Sequence, residues 1–116
     1  MIDITNYNKN NVFAKILRNE IECEKVYENS YVLAFKDIKP AAPIHVLVIP
    51  KKEFCSFQDF TERCDDKFLL EFFRSINKIV KKLKLENGYK LICNVGEKGG
   101  QEVPHLHFHL LASADS

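Results

Sequence analysis

The chain has 116 residues, enough for one domain with a real core and too few for a second domain of ordinary size. Apolar residues make up 46% and charged residues 28%, a balance that excludes a disordered chain. The formal net charge is +1, so bulk charge argues for neither a nucleic-acid nor a membrane partner, and a bound anion would need a local site.

The first ten residues, MIDITNYNKN, lack the apolar core of a signal peptide. No apolar run approaches the ~18 residues of a membrane span. A cytoplasmic protein is the expectation. From Asn11 to Asn19, Val12, Phe13, Ile16 and Leu17 share one face of a short amphipathic helix. KVYEN (25–29) and YVLAFKD (31–37) read as a hairpin turning at Asn29-Ser30. Two prolines make 38–43 a loop, and IHVLVIP (44–50) is a strand. A long helix over about 65–85 carries Leu69, Phe72, Phe73, Ile76, Ile79, Val80 and Leu83 on one stripe. Lysines crowd its C-terminal end, where the helix dipole is negative, and Asn87-Gly88 stops it. YKLICNV (89–95) is a strand, GEKGGQE (96–102) a loop, and PHLHFHLL (104–111) the last strand. The elements form an α+β domain with a mainly antiparallel sheet around two helices. Cys23, Cys55, Cys64 and Cys93 form no CxxC motif, and none sits beside a histidine, so reduced thiols are expected.

Three of the four histidines alternate within ten residues, at 105, 107 and 109. In a strand they share one face, ~6.5–7 Å apart, while Leu106, Phe108 and Leu110 share the other. A water-facing polar strand is the plainest explanation for one histidine and a poor one for three. Two chemistries remain. Paired histidines chelate a metal ion, with His45 or Asp37 completing a tetrahedron. Alternatively, one imidazole is a nucleophile whose neighbours set its tautomer and charge. The preceding NVGEKGGQE carries three glycines, which suit an anion-binding turn and therefore phosphoryl transfer more than metal binding.

His105-Leu106-His107-Phe108-His109-Leu110-Leu111 resembles the pattern of the histidine triad (HIT) family. NVFAKILRNEI (11–21), AFKDIKPAAPIHVLVIPKK (34–51) and NVGEKGGQEVPHLHFHLL extend the likeness over about 12–111, to the bacterial-type, Hint-like nucleoside phosphoramidases. The resemblance implies a single HIT domain over residues 1–116, with a five-stranded antiparallel sheet, two helices and sheets joined across a homodimer. It implies hydrolysis of purine nucleoside phosphoramidates or adenylyl conjugates to AMP or GMP, with no cofactor. His107 would be the nucleophile carrying a nucleotidyl intermediate. His109 would contact a phosphate oxygen or assist the leaving group, and His105 and His45 would orient the set. Asn94, Gly100 and Gln101 would cradle phosphate, Asp37 would hold the ribose, and Phe13, Ile16, Phe35 and Ile38 would form the base slot. Read without the resemblance, ordinary core packing is the preferred reading of those four apolar residues, Asp37 could equally be a turn residue after its strand, and His45 alone could be a satisfied core histidine.

Glu102 stands where some relatives have serine near the leaving group. A carboxylate ~4 Å from a phosphate costs on the order of 4 kcal/mol at an effective dielectric of ~20, so it points away, is protonated, or pairs with a cationic leaving group. Asn11 and Ala14 occupy positions that are cysteines in zinc-binding relatives, so no structural metal is expected. The tail after Leu111, ASADS, is shorter than in many relatives, which bears on substrate choice. The competing readings are a nucleotide-binding regulatory or scaffold protein with vestigial turnover, a dinucleoside polyphosphate hydrolase and, more distantly, a metal-dependent hydrolase.

Overall fold

The computed structural model describes residues 2–113; the end of the ASADS tail lies outside the described residues. In chain order the elements are α1 (Val12–Leu17), β1 (Lys25–Glu28), β2 (Val32–Lys36), β3 (Ile44–Pro50), α2 (Phe57–Arg63), α3 (Asp66–Lys82), β4 (Lys90–Ile92) and β5 (Phe108–Ala112). All five strands pair antiparallel in the order β1-β2-β3-β5-β4, leaving β1 and β4 as edges. The expected sheet is present. The expected pair of helices has a third, short companion in α2, whose N-cap is Ser56 accepting from Asp59 N–H at 3.2 Å.

Strand alternation divides the apolar residues between two faces. Val32 and Ala34 of β2, Val46 and Val48 of β3, and Phe108 and Leu110 of β5 pack on Phe68, Phe72, Ile76, Ile79 and Val80 of α3. The opposite face carries Leu33, Phe35, Leu47 and Ile49, which pack on Phe13 and Ile16 of α1. Each fully buried side chain of this kind contributes roughly 1.5–3 kcal/mol relative to exposure. Helix α1 covers only part of its face, and the uncovered part holds the histidines.

Three boundaries differ from the sequence reading. Helix α3 stops at Lys82, before Asn87-Gly88. Lys84 takes a left-handed φ of 59°, and its N–H bonds Lys81 O while Leu85 N–H bonds Val80 O at 3.0 Å. This is a Schellman ending with lysine where glycine is usual. Burial of Leu85, 1% exposed, offsets the conformational cost of about 1–2 kcal/mol. Strand β5 begins at Phe108, so His105 and His107 precede the ladder rather than belonging to it. The backbone there turns to α2's approach instead: Leu106 N–H donates to Phe54 O at 2.8 Å. With no partner strand beyond Phe108, β4 shrinks to three residues from the expected seven. The hairpin turn falls at Asn29-Ser30 as expected, with Asn29 Oδ1 accepting from the Tyr31 and Val32 N–H groups. Among the described residues, no helix is long and apolar enough to cross a membrane.

Candidate active site

Beyond the edge of α1 lies a cleft of about 550 Å³. Phe13 and Ile16 of α1, Phe35 of β2 and Leu47 of β3 supply its apolar lining, and Asp37, Ile38, Asn94, Gly100, Glu102, His107 and His109 complete it. Positions separated widely in sequence thus meet because sheet register brings Leu47 opposite His109, while α1 closes one end. Phe13, Ile16 and Phe35 serve both readings made of them: they are core, and their outer surface is cleft wall. Ile38 is 92% exposed and belongs to the rim alone. Val12, Ile21, Cys23 and Val103 also line the cleft, with Glu22, Lys36 and Lys39 as charged neighbours; of these, helical spacing had marked Val12 alone, as a core residue. Glu102 is exposed at the rim, where water screens its charge.

His105 and His45 stand behind this lining as buried supports. A neutral imidazole has one N–H and one lone pair, so its partners settle its tautomer. Pro50 O can only accept, so His105 donates from Nε2 across 3.0 Å. The Nδ1 lone pair of His105 accepts the hydroxyl of Tyr7 at 2.6 Å. The His105 carbonyl accepts the Nδ1–H of His107 at 2.7 Å, which leaves the His107 lone pair on Nε2. In the second pair, Ala41 N–H donates to His45 Nδ1 at 3.0 Å. His45 therefore donates from Nε2 to His109 Nδ1 at 2.9 Å, with Asp37 Oδ2 3.4 Å away. His109 is left with Nε2–H as its free donor. One nitrogen with a free lone pair and one free donor thus stand side by side, with ring centroids 5.1 Å apart. Phe13 meets the His107 ring edge to face at 4.9 Å.

Burial holds the His105 pKa at about 4 despite the Pro50 hydrogen bond. Burial also pushes His107 below the ordinary histidine value, partly offset by its bond to the His105 carbonyl. His109 is lowered by burial first and by neighbouring His45 second. The three are neutral at pH 7, as a nucleophilic imidazole requires.

Asp37, His45 and His109 bring possible ligand atoms within 4.8 Å of one another. Their hydrogen bonding does not suit an ion. His45 accepts at Nδ1, so its Nε2 carries a proton, and a metal at that nitrogen would require an imidazolate. The two imidazoles share a hydrogen bond where a metal would need two lone pairs. Asp37 also makes the turn expected of it, with Oδ1 accepting Lys39 N–H at 2.8 Å.

The glycine loop behaves differently from the expected anion cradle. The N–H groups of Gly99, Gly100 and Gln101 all close on carbonyls of the same loop, and Gly96 N–H goes to Gln101 Oε1. Gln101 is buried and turned inward, its Nε2 donating to Cys55 O at 2.7 Å and Val103 O at 3.0 Å. It braces the loop and does not line the cleft. Gly96 and Gly100 have φ of 68° and 84°, and a Cβ on Gly99 would lie 2.2 Å from Val95 O. The loop is a tight support that places Asn94 and Gly100 at the cleft wall. Tyr7, the partner of His105, was invisible in the sequence: a lone tyrosine in a polar stretch carries no periodic signal.

The HIT domain pattern matches residues 18–116. An uncharacterized 13.2 kDa HIT-like protein of Azospirillum brasilense is 46% identical over 107 residues, spanning 91% of this chain and 88% of that protein. The crystal structure of a HIT family hydrolase from Legionella pneumophila is similar at 41% identity and a TM-score of 0.81, covering 89% of this chain and 92% of the other. A histidine triad nucleotide-binding protein from Candida albicans is similar at 34% identity and a TM-score of 0.77, covering 86% and 72%. With the domain pattern, the sequence relatives and the five-stranded fold in agreement, the chain belongs to the HIT family.

Proposed function

We propose that the chain is a metal-independent hydrolase of purine nucleoside phosphoramidates or adenylyl conjugates, releasing AMP or GMP. One observation carries the reading. The Nδ1–H of His107 is tied to the His105 carbonyl at 2.7 Å, which fixes the free lone pair on Nε2 of a neutral, cleft-lining imidazole. In this reading Nε2 attacks the α-phosphorus. The P–N bond breaks, its electrons leave with the amine, and the amine takes a proton from water. His109 Nε2–H hydrogen-bonds a non-bridging oxygen as charge develops there. Water then attacks the nucleotidyl-His107 intermediate and frees the monophosphate. The apolar wall of Phe13, Ile16 and Phe35 suits a planar base, and Asp37 offers a carboxylate to the ribose hydroxyls. The hydrolase named for Legionella pneumophila and the nucleotide-binding protein of Candida albicans support the reaction class and the ligand class respectively.

The working form proposed is a cytoplasmic homodimer joined through β4. That edge strand shows water the apolar side chains of Leu91 and Ile92, beside exposed Tyr89. The test incubates an adenosine phosphoramidate with the protein in EDTA. The expected result is AMP from wild type and a loss on the order of 10³-fold or more in His107→Ala. Equal activity in the variant sinks the assignment. Tight AMP binding without release, in sediments of dimer mass, would mean a nucleotide-binding protein, the reading that the Candida albicans likeness also suits.

A further inference from the structure

Residues 2–10 precede everything that the HIT pattern matches, yet they are tied into the body at several points. Ser56 Oγ donates to Ile4 O at 3.4 Å, Arg18 donates to Lys9 O at 3.0 Å, and Asn11 Nδ2 donates to Asn8 O at 2.7 Å. Asp3 Oδ1 accepts from the N–H groups of Thr5 and Asn6, so the segment makes its own turn. These bonds deliver Tyr7 to the one nitrogen of His105 that no other described residue reaches.

We propose that Tyr7 is a positioning residue for the histidine pair: its hydroxyl holds His105 as the Nε2–H tautomer, and with it the carbonyl that keeps the His107 lone pair on Nε2. The chain of bonds is short. Tyr7 Oη donates to His105 Nδ1 at 2.6 Å, His105 Nε2 donates to Pro50 O at 3.0 Å, and His107 Nδ1 donates to His105 O at 2.7 Å. His105 is fully buried, so an Nδ1 lone pair deprived of its donor has no water to turn to. The ring then reorients or changes tautomer, and either movement disturbs the peptide that carries its carbonyl. The inference rests on His107 being the nucleophile.

Packing alone is the competing explanation, since the Tyr7 and His105 rings meet edge to face at 5.5 Å. Phenylalanine at position 7 keeps that packing and lacks only the hydroxyl, so Tyr7→Phe separates the two. Imidazole ¹⁵N shifts report which ring nitrogen is protonated. In wild type they should show His105 protonated at Nε2 and His107 at Nδ1. In Tyr7→Phe, His107 should populate both tautomers, and kcat on the adenosine phosphoramidate should fall about tenfold with KM unchanged. A single wild-type His107 tautomer with full kcat in Tyr7→Phe overturns the proposal. So does a wild-type His105 protonated at Nδ1, a reading that needs no variant to fold. Absence of turnover by the wild type would count against the proposed reaction and leave the tautomers to decide the role of Tyr7.

Discussion

The two faces of the sheet are built from the same alternating strands and put them to opposite uses. On the α3 face, Val32, Val46, Val48, Phe72 and Leu110 are buried among apolar side chains, and no histidine belongs to the cluster. On the α1 face the apolar set is smaller, and His45, His105 and His107 are buried beside it. Residue-by-residue alternation lets one strand serve both, as Val46 and Leu47 do. The lesson is that the site does not need a separate scaffold; the second face is left partly uncovered, and the hydrogen bonds of four imidazoles replace the missing helix.

Substitutions on the sealed face should have the largest effect. Phe72→Ala should cost about 3–5 kcal/mol in denaturant melts, because the ring is wholly buried against Phe60 and Phe108. Its KM should match wild type wherever the variant is folded. An unchanged melting midpoint would mean that this face is less closely packed than described.

Acid should discriminate between the faces next. His105 titrates at about 4 in the fold against 6.5 when unfolded, so between those values the unfolded chain binds more protons. The stabilisation is complete above about pH 6.5 and is lost as pH falls toward 4, by about 3 kcal/mol. His107 and His109 shift in the same direction and should add to the loss. Melts from pH 7 to 4 check this, and a flat profile would contradict the buried, neutral His105. The smallest effect belongs to the cleft wall. Phe35→Leu keeps most of the volume, so stability should change by less than ~1.5 kcal/mol while KM rises several-fold. An unchanged KM would remove Phe35 from the binding surface.

Much of this was legible in the sequence because it depends on local periodicity. Phe72, Ile76, Ile79 and Val80 announced α3, Asn29 announced the hairpin turn, and the alternation of Leu106, Phe108 and Leu110 with the histidines correctly divided the two faces. The features that escaped depend on tertiary partners. Helix α2 offers one buried residue, Phe60, too little for a period to show. The late start of β5 follows from Leu106 N–H being drawn to Phe54 O. The early stop of α3 follows from the burial of Leu85. Gln101 looked like a ligand contact and is a brace, because only the folded loop shows where its amide goes. Tyr7 meets His105 across 98 residues, a distance over which sequence pattern carries no information.

The closest approach in the glycine loop has a consequence for how the cleft tolerates change. At Gly99 an added methyl group would sit 2.2 Å from the carbonyl oxygen of Val95 and 3.0 Å from its nitrogen, both backbone atoms that cannot swing aside. The methyl would act as a wedge driven between the two limbs of the loop. Asn94 hangs from one limb and Gly100 from the other, and both form the cleft wall. A residue outside that wall therefore sets its width, and the mouth can be pried open by three hydrogens and a carbon that no substrate ever meets.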